Sequence, residues 1–198
     1  DGGATWDSVS TGTNYIRSLS FPDADNGFGA GGDAGSNGIV MKTTNGGTSW
    51  TTLTTGPIAY LSSVWFTSAD HGVSVGKDGF MMKTTNGGAN WEIFSGGFRD
   101  SLTSIFFTDA ETGYIAGQDH SSHGIILKTI NGGTNWDTLL SGTTVPLYSI
   151  NFADPNAGYA AGQCGTILKT TDQGGTWAGL NSGITHDIYS EYFTDAST

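Results

Sequence analysis

The chain has 198 residues, 32 of them glycine, with 13% charged positions and a formal net charge of −11. Glycine far above the average of roughly 7% and charge well below the average of about 25% exclude a coiled coil or a helical bundle, while 12% aromatic residues supply the apolar mass that a disordered chain lacks. Seven basic residues in all leave no clustered positive charge for nucleic acid or an anionic membrane surface, no run approaches the roughly 20 apolar residues of a membrane-spanning helix, and a single cysteine, Cys164, excludes an internal disulfide.

The chain opens on Asp-Gly-Gly-Ala-Thr-Trp at 1–6, with neither an initiator Met nor a signal peptide, which predicts a mature, processed or excised product. The same ending then recurs in fuller form at 42–50, 83–91, 128–136 and 169–177, each running from a lysine to a tryptophan. Trp6, Trp50, Trp91, Trp136 and Trp177 are 44, 41, 45 and 41 residues apart, the period of a four-stranded propeller blade at about 40 to 45 residues.

Upstream of each tryptophan three strand-like segments repeat. The first carries apolar residues at fixed offsets: Ile16, Leu19, Phe21; Leu61, Val64, Phe66; Leu102, Ile105, Phe107; Leu147, Ile150, Phe152. A turn of the form Asp-Ala-x-x-Gly leads to a second strand such as Gly-Tyr-Ile-Ala-Gly at 113–117, and Gly-Ile-Val-Met-Lys-Thr-Thr at 38–44 opens the third. The pair of acids in the turn at 23–27 is not kept in the equivalent turns ending at Gly72 and Gly158, so it reads as turn chemistry and not as a calcium loop. A fourth strand follows each tryptophan.

The predicted fold is therefore an all-β propeller of four-stranded antiparallel blades. Residues 1–15 end one blade, 16–59, 60–101, 102–146 and 147–187 form four, and 188–198 begin another. Radial stacking buries both faces of each twisted sheet, which one sheet cannot do alone.

The turn before each tryptophan resembles the Asp box, Ser-x-Asp-x-Gly-x-Thr-Trp, also called the BNR repeat. Asp172 to Trp177 matches it with Thr170 for Ser, Asp1 to Trp6 gives its second half, and Asn45, Asn86 and Asn131 replace its Asp with an amide that can still close an Asx turn. Combined with Gly-x-Ile-Leu-Lys-Thr, this is most similar to the photosystem II assembly factor family (Ycf48-like) and related secreted bacterial proteins. The resemblance implies a structural role for the box residues Asp1, Trp6, Asn45, Trp50, Asn86, Trp91, Asn131, Trp136, Asp172 and Trp177, on the face opposite a ligand. It implies little about function, since sialidases, xyloglucan-degrading hydrolases and sortilin-type receptors share the box.

What recurs in every blade is architecture, and what varies is a candidate for function. Lys42, Lys83, Lys128 and Lys169 share one repeat position, leaving Lys77, Arg17 and Arg99 as the free cations. That is too few for the three-arginine carboxylate clamp of a sialidase or the arginine-rich patch of an assembly factor. Ser18, Ser63, Ser104, Ser149 and Ser190 recur in the channel-lining first strand and read as structural.

Variation concentrates between the second and third strands of each blade, and in the links between blades. Asp33, Asn37, Lys77, Asp78, Arg99, Asp100, Asp119, His120, His123, Gln163, His186 and Asp187 on these loops form the predicted binding surface. Asp119, His120 and His123 are zinc-ligand types, but one loop without repeated Cys or His makes a polar loop the stronger reading. No metal, cofactor or catalytic residue is assigned, and Cys164 reads as a buried or lightly exposed thiol.

These features predict a non-catalytic extracellular or cell-envelope module that binds protein or glycan, without nucleic acid or membrane insertion. The alternative is part of a xyloglucanase-like hydrolase using two of Asp33, Asp78, Asp100, Asp119 and Asp187. Glu191 stands where the other blades place Leu19, Val64, Ile105 and Ile150, which predicts a frayed, solvated strand there or, as the second reading, a partner supplied by residues outside this chain. Both ends fall inside a blade, so a longer parent chain or self-assembly is expected to complete them.

Overall fold

The computed structural model describes residues 4–5, 8–10, 12, 14–53, 58–95 and 101–193. Asp1, Trp6, Arg99 and Asp100 lie outside the described residues. Four sheets follow one another along the chain, each with four antiparallel strands in simple sequence order. Blade 1 contains β1 (Tyr15–Ser20), β2 (Gly27–Gly32), β3 (Gly38–Thr43) and β4 (Thr51–Leu53). Blade 2 contains β5 (Leu61–Phe66), β6 (Gly72–Gly76), β7 (Phe80–Thr84) and β8 (Glu92–Ser95). Blade 3 contains β9 (Ser101–Phe107), β10 (Gly113–Gln118), β11 (Gly124–Thr129) and β12 (Asp137–Leu139). Blade 4 contains β13 (Leu147–Phe152), β14 (Gly158–Gly162), β15 (Ile167–Thr170) and β16 (Ala178–Leu180).

Period-two alternation sends one set of side chains to each neighbouring blade. Phe28, Ala30 and Val40 of blade 1 pack against Leu61, Val64, Phe66 and Met82 of blade 2. Val73, Val75 and Met81 meet Leu102, Ile105, Phe107 and Leu127 at the next junction, and Tyr114, Ala116 and Ile126 meet Leu147, Ile150, Phe152 and Leu168 at the third. The apolar offsets of the first strands are thus the inter-blade cores. Each first strand also carries a bulge after its leading residue, or close to it, which leaves the following side chain free for the channel. The backbones converge there so closely that a Cβ on Gly76 would collide with the Tyr60 carbonyl, and one on Gly162 with that of Pro146.

The recurring serines tie one first strand to the next. Ser18 Oγ accepts from Val64 N at 3.2 Å, Ser63 Oγ from Ile105 N and Ser104 Oγ from Ile150 N, both at 3.3 Å.

Past blade 4, residues 188–193 form no strand yet still dock on it. Ile188 N donates to Gly162 O at 2.9 Å, and Phe193 stacks on Tyr159 with ring centroids 3.6 Å apart. The expectation of a solvated Glu191 is therefore corrected: both carboxylate oxygens are buried. Burial pushes the carboxyl up to about 7, an effect the Ser149 hydroxyl only partly offsets, and among the described residues neither oxygen has a partner within hydrogen-bond distance. At the other end, Ile16, Leu19, Gly29, Met41 and Trp50 of blade 1 line an open apolar groove of about 360 Å³, equivalent to surfaces that blades 2 to 4 bury.

Candidate binding face at the channel mouth

Hydrogen bonds divide the molecule into two faces. On one, each box turn is closed identically: Thr84 Oγ1 accepts from Asn86 N at 3.3 Å and Gly88 N at 3.0 Å, and Asn86 Oδ1 accepts from Asn90 N at 2.9 Å. The same set recurs around Asn45, Asn131 and Asp172. Successive glycines at φ 64° and 81° make the turn at 87–88. Each box then bonds to the turn joining the first two strands of its own blade, as Gly87 N does to Asp70 O at 2.9 Å. Asp172, the one carboxylate in this role among the described boxes, is held down to about 2 by the Thr176 amide and the Thr170 and Thr176 hydroxyls.

The opposite face gathers the variable loops. Gly38 N donates to Ile58 O, Lys77 N to Tyr60 O, and Gln163 N to Pro146 O, at 2.9, 3.0 and 3.0 Å, so the loops inside the blades and the links between them share it. At its centre the channel opens into a groove of about 480 Å³ lined by Arg17, Ser62, Ser101, Thr103, Gln118, Tyr148 and Tyr189. Five of these, Arg17, Ser62, Thr103, Tyr148 and Tyr189, hold one repeat position, directly after the leading apolar residue of each first strand. The bulge points that position into the channel, and it differs among neighbours where architecture would repeat it.

Several predicted residues border or shape this groove. Asp187 Oδ1 accepts from Cys164 N at 3.0 Å and Oδ2 from the Tyr189 hydroxyl at 3.3 Å, and Tyr189 stacks on Tyr148 with centroids 5.0 Å apart. Asp187 thus positions the tyrosine pair. Lys77 and Arg17 flank Tyr60, at 5.7 and 5.2 Å from its ring centroid, and Arg17 Nε reaches the Tyr60 hydroxyl at 3.4 Å.

Other predicted residues are spent on their own loops. Asp33 Oδ1 accepts from Asn37 N at 2.9 Å, and Asp119 Oδ1 from Ser121 N and His123 N, both at 2.8 Å. The Asn37 side chain lowers the Asp33 carboxyl and the His123 amide lowers that of Asp119. Asp78 adopts φ 58° at the tip of a short turn, and His120 and His186 are exposed. His123 Nδ1 lies 3.3 Å from Asp119 Oδ2, but no group of three His, Cys, Asp or Glu side chains converges among the described residues. Cys164, expected as a buried or lightly exposed thiol, is exposed at a loop tip with φ 56°.

Arg17, Tyr60, Ser62, Thr103, Gln118, Tyr148 and Tyr189 were absent from the predicted surface. The signal lay in the alignment: one position of the first strand reads Arg, Ser, Thr, Tyr, Tyr.

Four sheets stacked through repeated first-strand contacts and closed by the same box turn define an Asp-box, or BNR-repeat, β-propeller. A family model described as photosynthesis system II assembly factor YCF48 matches residues 53–147. No curated protein matches. Among solved structures, an ancestral GH74 enzyme is similar with a TM-score of 0.64 and 21% identity, over 82% of this chain and 23% of that one. The GH74 enzyme of Niastella koreensis gives 0.67 and 18%, over 83% and 30%. Ycf48 bound to a D1 peptide gives 0.53 and 18%, over 90% and 72%. The chain thus spans less than a third of either GH74 enzyme.

Proposed function

We propose that the protein is a non-catalytic binding module that takes a segment of a partner protein at the channel mouth. The observation that carries this is the groove itself, in which one repeat position presents arginine, serine, threonine and two tyrosines. Arg17 offers a guanidinium for a carboxylate, the Tyr148–Tyr189 stack an apolar platform, and Ser62 and Gln118 hydrogen-bonding groups for a main chain. The Ycf48 structure with a bound peptide supports a protein ligand. A glycan is the second reading, favoured by the tyrosine platform and by the likeness to GH74 enzymes.

The hydrolase reading is weaker on the chemistry. A glycosidase needs an acid whose carboxyl is held up near neutrality beside a second carboxylate, whereas Asp33 and Asp119 are held down by their own loops. We also propose an extracellular or cell-envelope setting, supported by the low lysine content and net charge of −11, and that another blade, from a longer chain or a second copy, covers the open face of blade 1.

Titration with fluorescent peptide mixtures, with free and amidated carboxyl termini, and with xyloglucan oligosaccharides tests the site. Arg17→Ala and the double change Tyr148→Ala with Tyr189→Ala should each weaken the bound class by roughly tenfold or more without shifting Tm. Release of reducing ends from the oligosaccharides would establish the hydrolase instead.

A further inference from the structure

The junction between blades 2 and 3 lacks a part that the other described junctions have. Position two of each second strand faces the next blade and is Phe28, Val73, Tyr114 and Tyr159 in turn. Phe28 stacks on Phe66 at 3.4 Å between centroids, Tyr114 on Phe152 at 4.0 Å and Tyr159 on Phe193 at 3.6 Å. The repeated lysine lies over the same ring: Lys42 at 5.2 Å from the Phe28 centroid, Lys128 at 5.4 Å from Tyr114, and Lys169 at 5.0 Å from Tyr159. With Val73 in that place, Phe107 keeps its edge contact with Trp136 at 6.0 Å, but no described ring stacks on it.

Lys83 responds to the missing ring. Lys42 donates to Gly87 O at 3.1 Å and Lys128 to Gln173 O at 2.8 Å, carbonyls of one box position in the next blade. Lys83 donates instead to Thr134 Oγ1 at 3.1 Å. The space left between the blades is a cavity of about 530 Å³ reaching the box face, bordered by Val73, Lys83, Phe107, Glu111 and Gly132. That volume is within the range of ligand pockets, roughly 300 to 1,000 Å³.

We propose that this notch binds a tyrosine side chain of a partner protein, which completes from outside the stack that the other junctions complete from within. The phenol ring would lie on Phe107 with the Lys83 ammonium over its face. Its hydroxyl has a template: Tyr114 donates to Gln173 O at 2.8 Å, and the equivalent carbonyl, Gly132 O, belongs to a residue bordering the cavity. Glu111 on the same rim disfavours an anionic ring. His71 and Asn131 at the opening offer hydrogen-bonding groups to the main chain that carries the side chain. The notch lies on the face opposite the channel mouth, so it stands or falls independently of that site.

NMR titration of the intact chain with acetyl-Gly-Tyr-Gly-amide, acetyl-Gly-Leu-Gly-amide and p-cresol tests the assignment. The tyrosine peptide should perturb Phe107 and Lys83 resonances and bind roughly tenfold more tightly than the leucine peptide. Val73→Tyr should fill the notch, abolish those shifts and raise Tm. Lys83→Met, which removes only the ammonium, should weaken the tyrosine peptide about threefold. Equal binding of both peptides, or full affinity in either variant, overturns the proposal, as does p-cresol binding with the tyrosine peptide shut out. If Val73→Tyr does not fold, the peptide comparison on the unaltered chain and Lys83→Met decide.

Discussion

The two faces of the propeller are built on opposite rules. On the box face the same side chains make the same bonds in blade after blade, with buried Thr43, Thr84, Thr129 and Thr170 at the centre of each turn. On the channel-mouth face the backbone bonds hold the loops in place while side chains vary among equivalent positions. A repeat protein needs uniform contacts wherever successive units must fit the same neighbour. Where nothing packs against the unit, sequence is free to diverge, and there a ligand can be met. The notch beside Val73 qualifies this rule, since a break in the uniform set also opens a site.

The largest effect separating the faces is expected from Thr129→Val, which removes the hydroxyl that accepts from Asn131 N and Gly133 N and donates to Asn131 Oδ1. Leaving these groups unpaired should cost about 3 kcal/mol by denaturant unfolding. Asp33→Ala on the other face, where the carboxylate is exposed, should shift the denaturation midpoint far less; an equal loss would break the comparison.

Glu191 tests the interior between the faces. Its folded carboxyl is raised to about 7 from an ordinary value of 4.5, so the folded state holds the proton more tightly than the unfolded chain. Its contribution to stability is fully present below pH 4.5 and is lost as pH rises towards 7 and above. Glu191→Ile, which restores the residue type of the other blades, should stabilise by about 2 kcal/mol at pH 8 and flatten this dependence. Exchange of the Ile188 amide at pH 5 and pH 8 reads the same event, because that amide anchors the segment to Gly162 O.

The smallest effect sharpens the uniformity of the box face. Gln173 adopts φ 59° where the other described boxes have glycine. Gln173→Gly should raise stability by about 1 kcal/mol, despite loss of the exposed Gln173 Nε2 to Asn156 Oδ1 bond.

Much of the fold was legible because the repeat is a physical constraint stated five times. Leu61, Val64 and Phe66 recur as Leu102, Ile105 and Phe107 because each first strand meets the same surface of the blade before it. The loops at 33–37 and 119–123 were recognisable as exceptions for the converse reason. The channel-mouth residues were harder to see. Arg17, Ser62, Thr103, Tyr148 and Tyr189 sit inside the most regular strand of each blade, where a polar residue between apolar ones looks like ordinary alternation. Nothing in the order of residues says that a bulge turns this position into a shared channel.

Residue order alone determined the blade period, the antiparallel four-stranded unit and the chemistry of the box, because these depend on contacts between residues close in the chain or related by a fixed spacing. Tertiary structure decided what lies across the ring. It brought Arg17 and Tyr189 to one groove, spent Asp33 and Asp119 on their own loops, buried Glu191, and left Phe107 without a stacked ring. Each of these outcomes depends on the rotation of one blade against the next, which sets distances between residues that the chain itself holds far apart.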